Sequence, residues 1–203
     1  MPLRVPPGRA GRLWLVRRIE VGRRGADVLE QKRSTLLRER VRLAEQIADA
    51  NASWESRAAT ASVWNARASA AAGPRALRLA ASRLIGRATV AVTVRSVLGV
   101  AIPASATVEP AVEPDLVSSG GAAVELAAEA HREALASAAT LAAFRAAQEL
   151  LEAELRETVR RLRAIERRWI PEHEAALHRL QISLDEAELA DIARARWATR
   201  RQP

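Results

Sequence analysis

The sequence contains no cysteine and no tyrosine, and it has only one phenylalanine and one lysine. The absence of cysteine excludes disulfides, thiolate metal ligands and a thiol nucleophile. Aromatic residues make up only 3% of the chain, so the large side chains that usually dominate a thick globular core are in short supply. No apolar run approaches the roughly 20 residues that a membrane-spanning helix requires.

Candidates for catalysis or metal binding are also few. His178 lies five positions after His173, off the helix face that ligands at i and i+4 share, and we interpret both, with His131, as solvated surface residues. Gly22 and Gly25 match neither a phosphate loop nor a dinucleotide fingerprint, and we expect them to allow close approach of a second helix. The sequence thus predicts no catalytic, cofactor-binding or metal-binding residue and no cofactor.

The net charge of +8 is concentrated at the two ends of the chain. Residues 1–24 contain seven arginines and one acidic residue, a net charge of +6, and residues 192–203 contain four arginines and no acidic residue. The intervening segment therefore has a slight acidic excess.

What the sequence does have is long helical periodicity. Apolar or small residues recur in steps of three and four from Leu15 to Ala71, about eight heptads, which is typical of a coiled coil. We predict a helix over residues 9–72, preceded by an N-terminal extension (1–8) and ended by Gly73-Pro74. A second periodic stretch predicts a helix over residues 122–200 with a kink near Pro171, where a proline costs roughly 3 kcal/mol in a helix interior.

The predicted seam between these helices consists of Leu15, Ile19, Leu29, Leu36, Leu43, Ile47, Trp54, Leu155, Leu162, Ile165, Trp169, Leu180 and Leu184. Trp54 and Trp64 are expected to pack in this seam rather than to stack on bases. Trp14, Trp169 and Trp197 are harder to place, and each is also suited to face a partner.

The middle region, residues 73–121, contains a different pattern. Residues 90–95 alternate between valine and smaller or polar side chains, and a second short run ends at Pro103, which together predict a β-hairpin over about residues 88–103. We expect the proline-spaced segment that follows to be an irregular loop. The predicted hairpin residues are Val90, Val92, Val94, Gly99, Val100, Ile102 and Pro103.

The predicted fold is therefore mainly α: a long antiparallel two-helix coiled coil formed by the N- and C-terminal helices, with a short β-hairpin and loop between them. Antiparallel pairing brings both termini to one end of a rod and the hairpin to the other. The rod would then have a basic tip formed by Arg9, Arg12, Arg17, Arg18, Arg194, Arg196 and Arg200.

Both ends of the chain resemble the D-type stalk proteins of V/A-type rotary ATPases. Arg24-Gly25, Val28-Leu29, Lys32-Arg33 and Leu36 follow the order of that family's opening helix, and Ile170-Pro171 followed by Leu184-Asp185-Glu186 resembles its closing helix. Gly99 to Pro103 is similar to its hairpin strand. The chain departs from the family pattern at Ser34, at Pro7-Gly8-Arg9 and at Arg163.

The resemblance implies a non-catalytic central-stalk subunit that transmits torque between a nucleotide-binding ring and a membrane ion-translocating ring. The implied partners are the A and B subunits of the ring, which would receive the basic tip, the F subunit along the shaft, and the socket subunit near the hairpin. The implied location is the cytoplasmic face of the membrane, without insertion into it and without direct contact with nucleic acid.

Two alternatives share the predicted fold. The basic charge is also compatible with a coiled coil that binds nucleic acid, where phosphate contacts would make binding strongly dependent on salt. A scaffold protein is the other alternative. Charge at one tip rather than along a face, and the absence of a base-reading motif, favour the rotary ATPase subunit over nucleic-acid binding.

Overall fold

The computed structural model describes residues 4–82, 87–109 and 121–200. It confirms a mainly helical chain in which N- and C-terminal helices pack together, with a two-stranded antiparallel hairpin between them in sequence. The elements are α1 (Gly8–Ser82), β1 (Thr89–Val97), β2 (Val100–Glu109), α2 (Ala122–Ala164) and α3 (Ile170–Arg200), with a π-helical turn, Ile165–Trp169, between α2 and α3.

Helix α1 is interrupted at Gly73. This residue has φ 80° and ψ 158°, a conformation outside the helical region that glycine adopts without steric cost. Helical structure resumes with Pro74 and continues to Ser82. A helix can begin at a proline because the first turn needs no backbone N–H donor. The Gly73-Pro74 pair therefore divides the helix, and the segment after it is helical rather than irregular.

The hairpin is longer than the sequence predicted. Strands β1 and β2 pair from Val97↔Val100 to Thr89↔Glu109, and the turn between them places Leu98 and Gly99 at positive φ, as tight hairpin turns require. The register shifts next to Pro103, which cannot donate a ladder hydrogen bond and is tolerated at such an irregularity.

The prediction of an irregular loop after Pro103 is wrong as far as Glu109. Alternating threonine, serine and valine side chains in this segment continue the pairing with β1. The remainder of the predicted loop, residues 110–115, lies outside the described residues.

The chain divides into two compact units. We call residues 4–34 and 156–200 the terminal unit, because it contains both ends of the described chain. We call residues 35–82, 87–109 and 121–155 the central unit, after its place in the sequence.

In the central unit, α1 and α2 pack antiparallel around two apolar clusters. One cluster joins Leu43 of α1, Ile102 of β2 and Ala147 of α2, so the hairpin is docked on the helix pair through a fully buried isoleucine. The other joins Ala68 of α1 to Ala127 of α2, and Trp64 packs against it. Both alanines are almost completely buried, 0% and 3% exposed, and such small side chains allow two helices to pack closely.

In the terminal unit, the first part of α1 packs antiparallel against α3. Arg9 forms an ion pair with Glu188 (2.8 Å), and Arg23 forms one with Glu174 (2.6 Å), so the partner moves back along α3 as the chain advances along α1. Leu15, which lies between Arg9 and Arg23 in the sequence, is fully buried.

A π-helical turn precedes Pro171 and explains how the helix continues through a proline. The backbone N–H of Ile170 donates to the carbonyl oxygen of Ile165, five residues back instead of four. In a regular α-helix the ring of Pro171 would clash with the carbonyl group of Arg167. The π-helical turn changes the hydrogen-bond pattern of the residues just before Pro171. Turns of this kind are a known irregularity within α-helices.

The predicted seam residues differ in burial. The buried ones are Leu15, Ile19, Leu36, Leu43 and Leu162; the half-buried ones are Leu29, Ile47, Leu155, Ile165, Trp169, Leu180 and Leu184. Trp54 stays 36% exposed.

Candidate functional site

The seven arginines predicted to form a basic tip all belong to the terminal unit, and all are exposed. Arg9 is paired with Glu188, and Arg194 with Asp191 at 2.7 Å. Such exposed pairs contribute only about 0–1 kcal/mol to stability, so these side chains are not fixed strongly by the fold. Among the described residues, Arg12, Arg17 and Arg18 form no ion pair.

Two tryptophans from different helices converge beside these unpaired arginines. The guanidinium carbon of Arg18 lies 4.9 Å from the ring centroid of Trp14 and 5.8 Å from that of Trp169, both within the range of cation–π attraction. The rings line an open groove of about 690 Å³, which we call the Trp14–Trp169 groove. It is also lined by Leu13 and Val21, which are 60% and 65% exposed, by Arg17 and Arg18, and by Pro6 and Ala10.

Trp169 is held in place by contacts on both helices. Its six-membered ring lies directly over Gly22 of α1, where an added Cβ would overlap the ring atoms. The imidazole ring of His173 stacks on the indole at a centroid distance of 3.8 Å and an interplanar angle of 28°. The absence of a side chain at Gly22 therefore creates the space that Trp169 fills.

The prediction that His173 is a solvated surface residue is wrong. Its side chain is 2% exposed, and its Nδ1 lies 2.7 Å from the carbonyl oxygen of Trp169. Because a carbonyl oxygen only accepts, Nδ1 carries the proton in this contact. Nε2 is buried without a hydrogen-bond partner among the described residues. His131 and His178 are exposed, as predicted.

The two glycines of α1 predicted to allow close helix packing behave differently. Gly22 contacts Trp169, as described, whereas a Cβ at Gly25 would have no atom within 4 Å. The packing interpretation of Gly25 is therefore wrong, because that position faces open space.

The hairpin presents apolar side chains to solvent on β1. Val90, Val92 and Val94 are 51%, 48% and 63% exposed, and Ile102 of β2 is buried. Within the central unit Arg95 also forms an ion pair with Glu39 of α1. Of the remaining predicted hairpin residues, Gly99 lies in the turn, and Val100 and Pro103 are half-buried.

The remaining tryptophans lie in different environments. Trp64 is half-buried with Arg67 4.7 Å from its ring centroid. Trp54 lines a groove on the central unit beside Leu141 and Arg145. Trp197 is 57% exposed.

Two absences apply to the described part of the chain. It contains no group of three or more histidine, aspartate or glutamate side chains placed to hold a metal ion. None of its helices combines the length and the apolar character needed to cross a membrane.

The contacts around Trp169 are the main feature that sequence reasoning missed. Trp169 and His173 are four residues apart, so they share a helix face, and this spacing signals a stacked pair. Gly22, which Trp169 covers, is distant in the sequence, and nothing local to either residue identifies the other.

Antiparallel terminal helices that enclose a hairpin in sequence, with both basic ends of the described chain in one compact unit, define a class of helical-pair proteins. Within that class, the family model for the D subunit of ATP synthase matches residues 13–200. The chain belongs to this family, the D subunits of ATP synthases. No curated protein matches it.

Proposed function

We propose that this chain is the central-stalk subunit of a V/A-type rotary ATP synthase or ATPase, and that it transmits rotation between the nucleotide-binding ring and the membrane rotor. Membership of the family of ATP synthase D subunits carries the proposal. The packing of both chain ends into one unit supports it, because a transmission element needs a paired, torsionally stiff backbone rather than a single helix.

The proposed partners follow from the family and from the distribution of charge and apolar surface. The terminal unit, which contains the seven exposed arginines of the predicted tip, would face the A and B subunits of the ring. The exposed valines of β1 are suited to the socket subunit at the membrane side, and the F subunit would bind along the helix pair. The chain would lie at the cytoplasmic face of the membrane and would itself bind no nucleotide.

Charge is well suited to the contact with the ring. A turning subunit slides past successive copies of its partners, and diffuse electrostatic attraction varies smoothly with angle and is screened by salt. The arginines outside the Trp14–Trp169 groove would supply this attraction, which is the part of the contact that all rotational positions share.

The test is affinity purification of the tagged chain from native membranes. We expect nucleotide-binding ring subunits and an F-like subunit to be recovered with it. Recovery of nucleic acid instead, with binding that falls steeply with salt, would show that the chain is a nucleic-acid-binding coiled coil.

A charge variant tests the contact with the ring. Replacing Arg12, Arg194, Arg196 and Arg200 with glutamine should weaken association with the ring and reduce its dependence on salt. Replacing Arg42, Arg57, Arg67 and Arg78 in the central unit removes the same charge and should leave that dependence unchanged. Identical salt dependences for both variants and the wild type would mean that the terminal arginines do not contribute to docking.

A further inference from the structure

The Trp14–Trp169 groove contains apolar and aromatic side chains that electrostatic attraction to the ring would not require. Diffuse attraction requires charge alone, but this groove has defined apolar walls. Leu13 and Val21 are among the most exposed large apolar side chains of the described residues, and they flank the two indole rings. Exposed apolar side chains beside tryptophan rings are suited to contact with another protein, because aromatic side chains are enriched at protein interfaces.

The groove is also positively charged without an internal counter-ion. Arg17 and Arg18 line it, and neither forms an ion pair among the described residues. Glu20, one turn of helix away, is paired with Arg24 instead. A partner that brings carboxylates would therefore satisfy two guanidinium groups that the fold leaves available.

Two side chains of the groove, Trp169 and Arg18, are held in position by contacts within the terminal unit. Trp169 is fixed by Gly22 on one helix and by His173 on its own. Arg18 is oriented by its position over both indole rings. A groove that is ordered before binding loses little conformational entropy when it is filled, and buried tryptophan and arginine are the side chains that most often dominate binding energy.

We propose that the Trp14–Trp169 groove binds an acidic amphipathic segment of a partner protein, with its apolar side chains against Leu13, Val21 and the indole rings and its carboxylates on Arg17 and Arg18. The proposal rests on the proposed function in that the partner is a subunit of the same complex. This contact would be specific in orientation, unlike the electrostatic attraction of the other arginines. A partner bound in the groove would therefore occupy one defined side of the terminal unit.

A protein segment fits the groove better than single-stranded nucleic acid does. Bases bind by stacking on free aromatic faces. Trp169 already has His173 stacked on it and Arg18 near its ring. Pro6 and Ala10, which complete the lining with Leu13 and Val21, are aliphatic and offer nothing to a phosphate backbone.

The first experiment measures binding of a fluorescent 20-residue peptide, with glutamate on one helix face and leucine on the other, to the full chain by anisotropy. Val21→Glu should weaken binding about tenfold or more, because it places a carboxylate in the groove. Val28→Glu is the matched control: Val28 is 63% exposed on the same helix, outside the groove. It should change affinity less than about twofold.

A second pair of variants tests the charges of the groove, and each variant lowers the net charge of the chain by two. Arg17→Gln with Arg18→Gln should weaken peptide binding about fivefold or more, whereas Arg42→Gln with Arg57→Gln should have a much smaller effect. A peptide with glutamine in place of glutamate should bind the wild type weakly. Circular dichroism would establish that all variants keep the helicity of the wild type.

Three results would overturn the proposal: no binding of the acidic peptide to the wild type, equal losses in the Val21 and Val28 variants, or tighter binding of a 20-nucleotide oligothymidylate than of the peptide. Purification from membranes separates this proposal from the proposed function. If the wild type and Val21→Glu recover ring subunits equally well, the groove proposal is wrong and the stalk function stands. If the wild type recovers none, the stalk function is wrong, and the peptide measurements still decide the chemistry of the groove.

Discussion

At the scale of single residues, helix packing in the terminal unit depends on a glycine, Gly22, which leaves room for the ring of Trp169. Glycine within a helix costs about 1 kcal/mol relative to alanine, so a helical glycine requires a compensating contact. Gly22 has one, because the ring of Trp169 occupies the space where a Cβ would be. Gly25, one turn further along the same helix, has none.

This contrast gives opposite predictions for one substitution at two neighbouring positions. Gly22→Ala should destabilise the protein by about 1–3 kcal/mol, because the new methyl group displaces Trp169. Gly25→Ala should stabilise it by about 0.5–1 kcal/mol, because only helix propensity changes. Thermal unfolding followed by circular dichroism measures both, and stabilisation by Gly22→Ala would show that Trp169 does not pack on that site.

The two histidines that contact a carbonyl four residues back provide a second matched pair. Nδ1 of His131 lies 2.8 Å from the oxygen of Ala127, and Nδ1 of His173 makes the same contact with Trp169, but only His173 is buried and stacked. His173→Ala should cost about 2 kcal/mol or more, because it leaves a cavity beside the indole. His131→Ala should cost less than about 0.5 kcal/mol. Equal effects in urea unfolding would mean that the stack does not stabilise the terminal unit.

At the scale of elements, the hairpin depends on the helix pair. An isolated two-stranded hairpin is marginally stable in water, and β1 is exposed along most of its length. Ile102 is fully buried against Leu43 and Ala147, and the Arg95–Glu39 ion pair adds a polar contact with α1. We therefore infer that the hairpin is stabilised by packing on α1 and α2 as well as by the pairing of β1 with β2.

Removing the buried anchor should release the hairpin locally. Ile102→Ala should cost about 2–5 kcal/mol, as other large-to-small changes in cores do, and hydrogen exchange at residues 89–109 should become faster than in the helices. Val92→Ala removes an exposed side chain from β1, 48% exposed, and should leave exchange almost unchanged. Slow exchange in the Ile102 variant would show that the strands are stable without docking.

The sequence predicted helices and strands where the pattern of neighbouring residues is enough to specify them. The seam from Leu15 to Leu43 follows from helix periodicity, because residues at steps of three and four share a face. The alternating valines predicted β1 for the same kind of reason. Local patterns failed where a distant residue decides the outcome: β2 continues past Pro103 because β1 is there to pair with it.

Pro171 shows the same limit within one helix. Its position in the sequence predicted a kink, and the structure has a π-helical turn immediately before it. A proline alone does not specify whether the helix bends, stops or widens. The π-helical turn ends at Trp169, the residue seated on Gly22 of the other helix. The local form of the helix is thus coupled to packing between helices, which periodicity does not encode.

At the scale of the whole molecule, the pairing direction of the helices follows from contacts within each unit. In the terminal unit Arg9 pairs with Glu188 and Arg23 with Glu174. In the central unit Leu43 lies in one cluster with Ala147 and Ala68 in another with Ala127, and Arg145 donates a 3.0 Å hydrogen bond to Asn51. In both units, residues later in α1 meet residues earlier in the C-terminal helices. One chain therefore supplies both helices of the pair in each unit.

Because the natural sequence has no cysteine, introduced pairs report this pairing without background. A short bismaleimide should crosslink Arg23→Cys with Glu174→Cys, and Asn51→Cys with Arg145→Cys, within one chain, because in each pair the native side chains touch. Arg24→Cys with Glu174→Cys is the matched control: adjacent helical positions are separated by about 100° around the axis, so this pair should react poorly. Crosslinked product should keep the monomer mass at every protein concentration. Product of twice that mass, with yield that rises with concentration, would mean that the helices pair between chains and that a single copy does not form the stalk.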